Sequence, residues 1–110
     1  MRTLTANKEI DRLFAGGRRA MHPALLVLAA PSPEGAEPAG RFVFVAGKRL
    51  GGAVTRNRSK RVLRAMVRRS NADVSGWDIA LVARASTGTA SPATLDRAYA
   101  DALSSLGVSG

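Results

Sequence analysis

AVTRNRSKRVLRAMVRRS, Ala53 to Ser70, is the stretch on which the fold turns. At 100° per residue Val62, Leu63, Met66 and Val67 gather on one side, while Asn57, Lys60, Arg61, Arg64 and Arg68 form an arc on the other. The pattern predicts an amphipathic helix with a core face and a cationic face. No acid stands in the stretch to pair with its cations, and like charges at helical spacing repel by a few tenths of a kcal/mol per pair. A polyanionic partner relieves that repulsion, so contact with nucleic acid explains the face better than solubility does.

Outward from the helix the charge asymmetry continues. The chain has 110 residues, 17 Lys+Arg against 8 Asp+Glu, and a formal charge of +9. Residues 41–69 hold Arg41, Lys48, Arg49, Arg56, Arg58, Lys60, Arg61, Arg64, Arg68 and Arg69, and no acid. Most of these cations are arginine, whose guanidinium forks onto phosphate oxygens.

On either side lie short apolar runs. Ala24–Ala30 and Trp77–Arg84 read as strands, and Arg41–Ala46 as another, with Phe42 and Phe44 on one face and Val43 and Val45 on the other. Asn7–Gly16 reads as a first helix with Asn7 as N-cap, Ile10, Leu13 and Phe14 as its stripe and Gly16-Gly17 as its stop. Pro31–Gly40 reads as an exposed connection, and Gly47–Gly52 as a basic loop. Ser91-Pro92 opens a last helix whose buried face is Leu95, Ala98, Tyr99, Ala102, Leu103 and Leu106. The order α-β-β-α-β-α predicts an α+β fold: one domain over 1–110, a two-layer α/β sandwich with a small mixed sheet. Its second and third strands are joined through the basic helix, a βαβ crossover if they are parallel.

Several function classes drop out. With no cysteine and a single histidine, His22, the chain carries no disulfide frame, thiolate zinc site or Cys nucleophile. No nucleophile, phosphate-loop or zinc-protease motif is present, so neither catalytic nor metal-binding residues are expected. His22 beside Pro23 reads as a turn or surface residue. The Arg-Phe-Val-Phe-Val run at 41–45 lacks the further aromatic of a base-stacking strand, and core packing suits its phenylalanines better. The first ten residues lack the apolar core of a signal peptide, and the apolar run at 24–30 is too short to span a bilayer. A soluble, cytoplasmic protein with no membrane contact is the expectation.

Lys48-Arg49-Leu50-Gly51-Gly52-Ala53-Val54-Thr55-Arg56-Asn57-Arg58-Ser59-Lys60-Arg61 resembles the signature of the protein subunit of bacterial ribonuclease P, Lys-Lys-x-Gly-Asn-Ala-Val-x-Arg-Asn-Arg-x-Lys-Arg. The resemblance extends over nearly the whole chain, through Asp78–Arg84 to the closing helix. It implies a left-handed βαβ crossover, against the general rule. It also implies a protein that assists an RNA enzyme cleaving the 5′ leader from precursor tRNA, with Mg²⁺ held mainly by the RNA and no obligate protein partner. Contact with the catalytic RNA would fall to Lys48, Arg49, Arg56, Asn57, Arg58, Lys60, Arg61, Arg64 and Arg68. Contact with the leader, in a cleft between the first helix and the open sheet face, would fall to Asn7, Lys8, Ile10, Phe14, Leu28 and Phe44. Departures from the family pattern bear on that cleft. Ile10 and Leu28 replace residues that are often aromatic, and Val43 and Val45 are larger than the usual Gly and Ser, implying weaker stacking and a narrower cleft. A stand-alone ribosomal or architectural RNA-binding protein is the alternative.

Overall fold

The computed structural model describes residues 2–3, 7–33 and 40–108, without the side chains of residues 2, 3 and 7–9. The elements run β1 (Arg2–Thr3), α1 (Asn7–Gly16), β2 (Arg18–His22), β3 (Leu25–Pro31), β4 (Arg41–Val45), a single 3₁₀ turn (Lys48–Leu50), α2 (Ala53–Arg69), β5 (Trp77–Ala83) and α3 (Pro92–Leu106). They build one mixed sheet in the order β1-β4-β5-β3-β2. β4 pairs parallel with both β1 and β5, and β3 pairs antiparallel with both β5 and β2. The parallel register Arg41↔Asp78 to Val45↔Val82 meets the condition for a crossover and makes β4-α2-β5 a βαβ unit.

β3 and β5 are the central strands, and both of their faces are covered over most of their length. Their near-continuous apolar composition follows from that double burial, which a half-exposed strand does not need. One face carries α2 and α3, where Leu63, Met66, Leu95, Tyr99 and Leu103 meet Leu25, Val27, Phe42, Phe44, Ile79 and Leu81. The other carries α1, whose Leu13 is fully buried on Leu28, Ala30, Val43 and Ala80. The two-layer sandwich therefore describes the sheet with α2 and α3, and α1 adds a partial third layer on the opposite face.

All six residues read as the buried face of α3 are buried. The Ser91 Oγ accepts the Thr94 N–H at 3.1 Å, Pro92 occupies the first turn, and Gly107 ends the helix at φ 78° in the left-handed region. α2 starts instead from Gly52 with no side-chain cap, and the sequence at 52–55 offers no acid for its first turn.

Two strands were not legible in the sequence. β2, Arg-Arg-Ala-Met-His, is an edge strand with a largely exposed polar surface, and β3 supplies its ladder. Gly17 lets α1 turn directly into it: the Gly17 N–H donates to the Leu13 carbonyl at 2.9 Å, and a Cβ there would collide with that same oxygen. His22, expected in a turn, ends β2 half-buried, and its Nδ1 accepts the Ala24 N–H at 3.0 Å. β1 is two residues long and exists only by pairing with β4. In the connection expected over Pro31–Gly40, Pro31 belongs to β3 and residues 34–39 lie outside the described residues.

Candidate nucleic-acid interface

α2 buries Ser59, Leu63 and Met66, which turns its remaining surface outward. Arg58, Arg61 and Arg68 are exposed on it with Asn57, while Arg56, Lys60 and Arg64 are half-buried. Lys48 and Arg49 stand exposed on the 3₁₀ turn just before the helix. Among the described residues one α2 cation is paired: Arg69 forks onto Asp96 of α3, its Nη2 2.7 Å from Oδ1. The others have no acid partner there, and the buried Nε of Arg56 has no acceptor. An unneutralised face of this kind is the electrostatic footprint of a polyanion site. Val54, 83% exposed, places an apolar side chain at the start of the same helix.

Arg64 departs from the outward arc read in the sequence. Its guanidinium carbon lies 5.2 Å from the centroid of the Phe44 ring, which stacks in turn on Phe42 with ring centroids 6.2 Å apart. The cation is held by the ring face, and the side chain is half-buried there.

The α1 side of the sheet is organised in three cross-strand rows. Register places Ala30, Asp78 and Arg41 in the first, Leu28, Ala80 and Val43 in the second, and Leu26, Val82 and Val45 in the third. Leu13 covers the second row. The third is only half-buried, with Ile10 packed against the same cluster. There Leu26, Val45 and Val82 floor an open groove of about 660 Å³ whose rim includes Lys48, Arg49 and Arg84. Lys48 and Arg49 thus belong both to this rim and to the approach to α2.

The first row is polar. Asp78, fully buried, accepts hydrogen bonds from Arg41 (Nε at 2.8 Å to Oδ1, Nη2 at 2.7 Å to Oδ2), from the Ser32 hydroxyl at 2.7 Å, and from the Arg12 Nη2 of α1. Burial alone would raise its carboxyl pKa. The hydrogen bonds from Arg41 and Ser32, with the charges of Arg41 and Arg12, outweigh burial and hold it below the usual carboxylate value.

The residues expected to form the leader cleft are only partly brought together. Ile10 and Phe14 lie on α1, Phe14 38% exposed, and the helix includes Asn7 and Lys8, whose side chains lie outside the described ones. Leu28 is fully buried beneath α1 and offers no surface. Phe44 is on the other face of the sheet, under Arg64, because the strand alternation that puts Val43 and Val45 towards α1 puts Phe44 away from it. The sequence reading missed Leu26, Val82 and Arg84. The signal was there in the alternation, since Leu26 and Val82 stand two residues from Leu28 and Ala80.

A mixed α+β scaffold that carries an arginine helix with one acid-paired cation among the described residues, beside a cation-rimmed apolar groove, defines a nucleic-acid-binding protein. The Ribonuclease P family model matches residues 1–107. The Ribonuclease P protein component of Dehalococcoides mccartyi is 35% identical over 94 residues, covering 86% of this chain and 75% of that protein. That of Beutenbergia cavernae is 38% identical over 101 residues, covering 91% and 83%. The same fold occurs in the Staphylococcus aureus RNase P protein (TM-score 0.78, 21% identity, covering 100% of this chain and 99% of that one). It occurs also in the Thermotoga maritima RNase P protein (TM-score 0.74, 20% identity, covering 92% and 94%). The chain belongs to the ribonuclease P protein family.

Proposed function

We infer that this chain is the protein subunit of a bacterial ribonuclease P and acts as a single RNA-binding domain in the maturation of tRNA 5′ ends. One observation carries the reading: the basic turn Lys48–Leu50 joins the unpaired cations of α2 to the groove over Leu26, Val45 and Val82, so one continuous surface can meet two RNA segments. α2, with Arg56, Asn57, Arg58, Lys60, Arg61, Arg64 and Arg68, lies against the catalytic RNA. The groove takes the single-stranded 5′ leader of precursor tRNA, with aliphatic side chains under the bases, Lys48, Arg49 and Arg84 at the phosphates, and Ile10 of α1 packed against the same apolar cluster.

Ribonuclease P is a metal-dependent ribonucleoprotein enzyme. Among the described residues no group of three His, Cys, Asp or Glu side chains could hold a metal ion, and the buried carboxylate of Asp78 is already engaged by two guanidiniums. We assign the Mg²⁺ mainly to the RNA, which performs the cleavage. The protein's part is electrostatic. It lowers repulsion between substrate and ribozyme phosphates and fixes the leader in place. Among the described residues no helix is long and apolar enough to cross a membrane; the cytoplasm is the compartment that the proposed precursor-tRNA substrate implies.

The test is precursor-tRNA cleavage by a bacterial ribonuclease P RNA at low Mg²⁺, with and without the protein. Stimulation by the protein, with no cleavage by the protein alone, is the expected result. Tight RNA binding without stimulation of any of several such RNAs would reassign the chain as a stand-alone RNA-binding protein.

A further inference from the structure

α1 is a ten-residue helix with one fully buried apolar anchor, Leu13, among its described side chains. A helix so short is marginal by itself, and Leu13 with the half-buried Ile10 gives it few apolar ties to the sheet. The second tie is Arg12, one residue away. Its Nη2 meets the Asp78 carboxylate, and its Nη1 donates to the Pro31 carbonyl at 3.3 Å.

The carboxylate is not free to follow the helix. Arg41 of β4 holds both its oxygens, Ser32 holds one of them, and Asp78 itself belongs to β5. Three segments of the sheet layer therefore converge on one buried charge, and α1 reaches that fixed point through Arg12. The position matters because the rows are ordered along the strands. The Asp78 row lies at one end, Leu13 covers the middle, and the open groove is at the other. A helix pinned at the first row and seated on the second has its Ile10, packed against the same apolar cluster, set relative to the third.

We propose that Arg12 and Asp78 are positioning residues: their ion pair fixes the height and tilt of α1 over the sheet and thereby the shape of the leader groove, without either touching RNA. The inference rests on the leader-groove reading above. It goes beyond it by giving the groove a hinge and a latch at the end remote from the bound strand.

The test uses the full chain, which contains no cysteine and so accepts a labelled pair at Ala15 of α1 and Ser105 of α3, both exposed. Spin-label distances between these positions, read through the sheet, report the placement of α1 in the free protein. A narrow distribution is expected with Arg12 intact and a shifted or broadened one with Arg12→Gln. In the reconstituted ribonucleoprotein, affinity is compared for precursor tRNA with a leader of several nucleotides and with one cut to a single nucleotide. Arg12→Gln should lower that leader-dependent gain by roughly three- to ten-fold, the scale of one lost charge-assisted contact. Affinity for the catalytic RNA and kcat at saturating substrate should stay unchanged. Arg12→Lys, which keeps the charge but not the fork, should recover part of both readouts and serves if the glutamine variant does not fold.

An unchanged label distribution overturns the latch. A changed distribution with the leader gain intact overturns the positioning role, and equal losses with long and short leaders make Arg12 merely structural. No leader dependence in the unsubstituted protein would remove the groove reading itself, whatever the labels show.

Discussion

Arg61→Gln and Arg64→Gln change neighbouring cations of one helix, yet the structure separates their consequences. Arg61 is exposed and touches no acid among the described residues, whereas the Arg64 guanidinium is seated 5.2 Å from the Phe44 ring centroid. Loss of a cation–π contact costs about 0.5–2 kcal/mol, and lost packing of the arginine stem adds to it. For a chain of this length 1 kcal/mol moves Tm by roughly 3–6 °C. Arg64→Gln should therefore lower the Tm of the free protein by about 2–12 °C, and Arg61→Gln by less than about 2 °C. RNA binding should treat them more alike. If five to eight of Lys48, Arg49, Arg56, Arg58, Lys60, Arg61, Arg64 and Arg68 meet phosphates, log K falls against log salt with a slope of about −4 to −7. Each substitution then removes about 0.7–0.9 of that slope. Thermal melting of the free proteins and filter binding across a salt series measure both quantities. Equal Tm losses in the two variants would refute the stacked placement of Arg64. A parent slope near −1 would refute the α2 footprint altogether.

Other outcomes follow from the core and its charges. The Asp78 carboxyl is held below the ordinary 3.8, so its stabilising share is complete above about pH 4 and drains away as pH falls towards the lowered native value. The unsubstituted protein should lose more Tm between pH 5 and pH 3 than Asp78→Asn does, while the variant starts lower at pH 7; parallel pH profiles would remove Asp78 from acid unfolding. Leu13→Ala removes the fully buried anchor of α1 and should cost about 2–5 kcal/mol in denaturant unfolding. Amide exchange should rise first in α1 and only later in β3. Ser91→Ala deletes the α3 cap and should cost about 0.5–2 kcal/mol in the same unfolding measurement, with no change in RNA affinity.

The elements that were legible are those whose residues state their own environment. α2 declares its faces by charge, and α3 pairs a Ser-Pro start with a run of six apolar residues at helical spacing that are all buried. β3 and β5 announce double burial by being apolar on both sides. β2 announces nothing, because an edge strand with an exposed polar surface is defined by the ladder its neighbour offers. Phe44 shows the same limit within the site. Its alternation with Val43 and Val45 was plain, but which face belonged to α1 was not.

By itself the sequence determined that this protein is a compact α/β scaffold for an arginine-rich helix, since periodicity and charge are local properties carried in the order of residues. Membership in the ribonuclease P protein family follows from the same order, read over residues 1–107. Only the tertiary structure decided that Arg64 turns back onto Phe44, that the groove floor is Leu26, Val45 and Val82, and that Arg12, Arg41 and Ser32 converge on Asp78. Those contacts join residues up to 66 positions apart. They depend on strand order and register, which pairing across the whole sheet sets and no local pattern records.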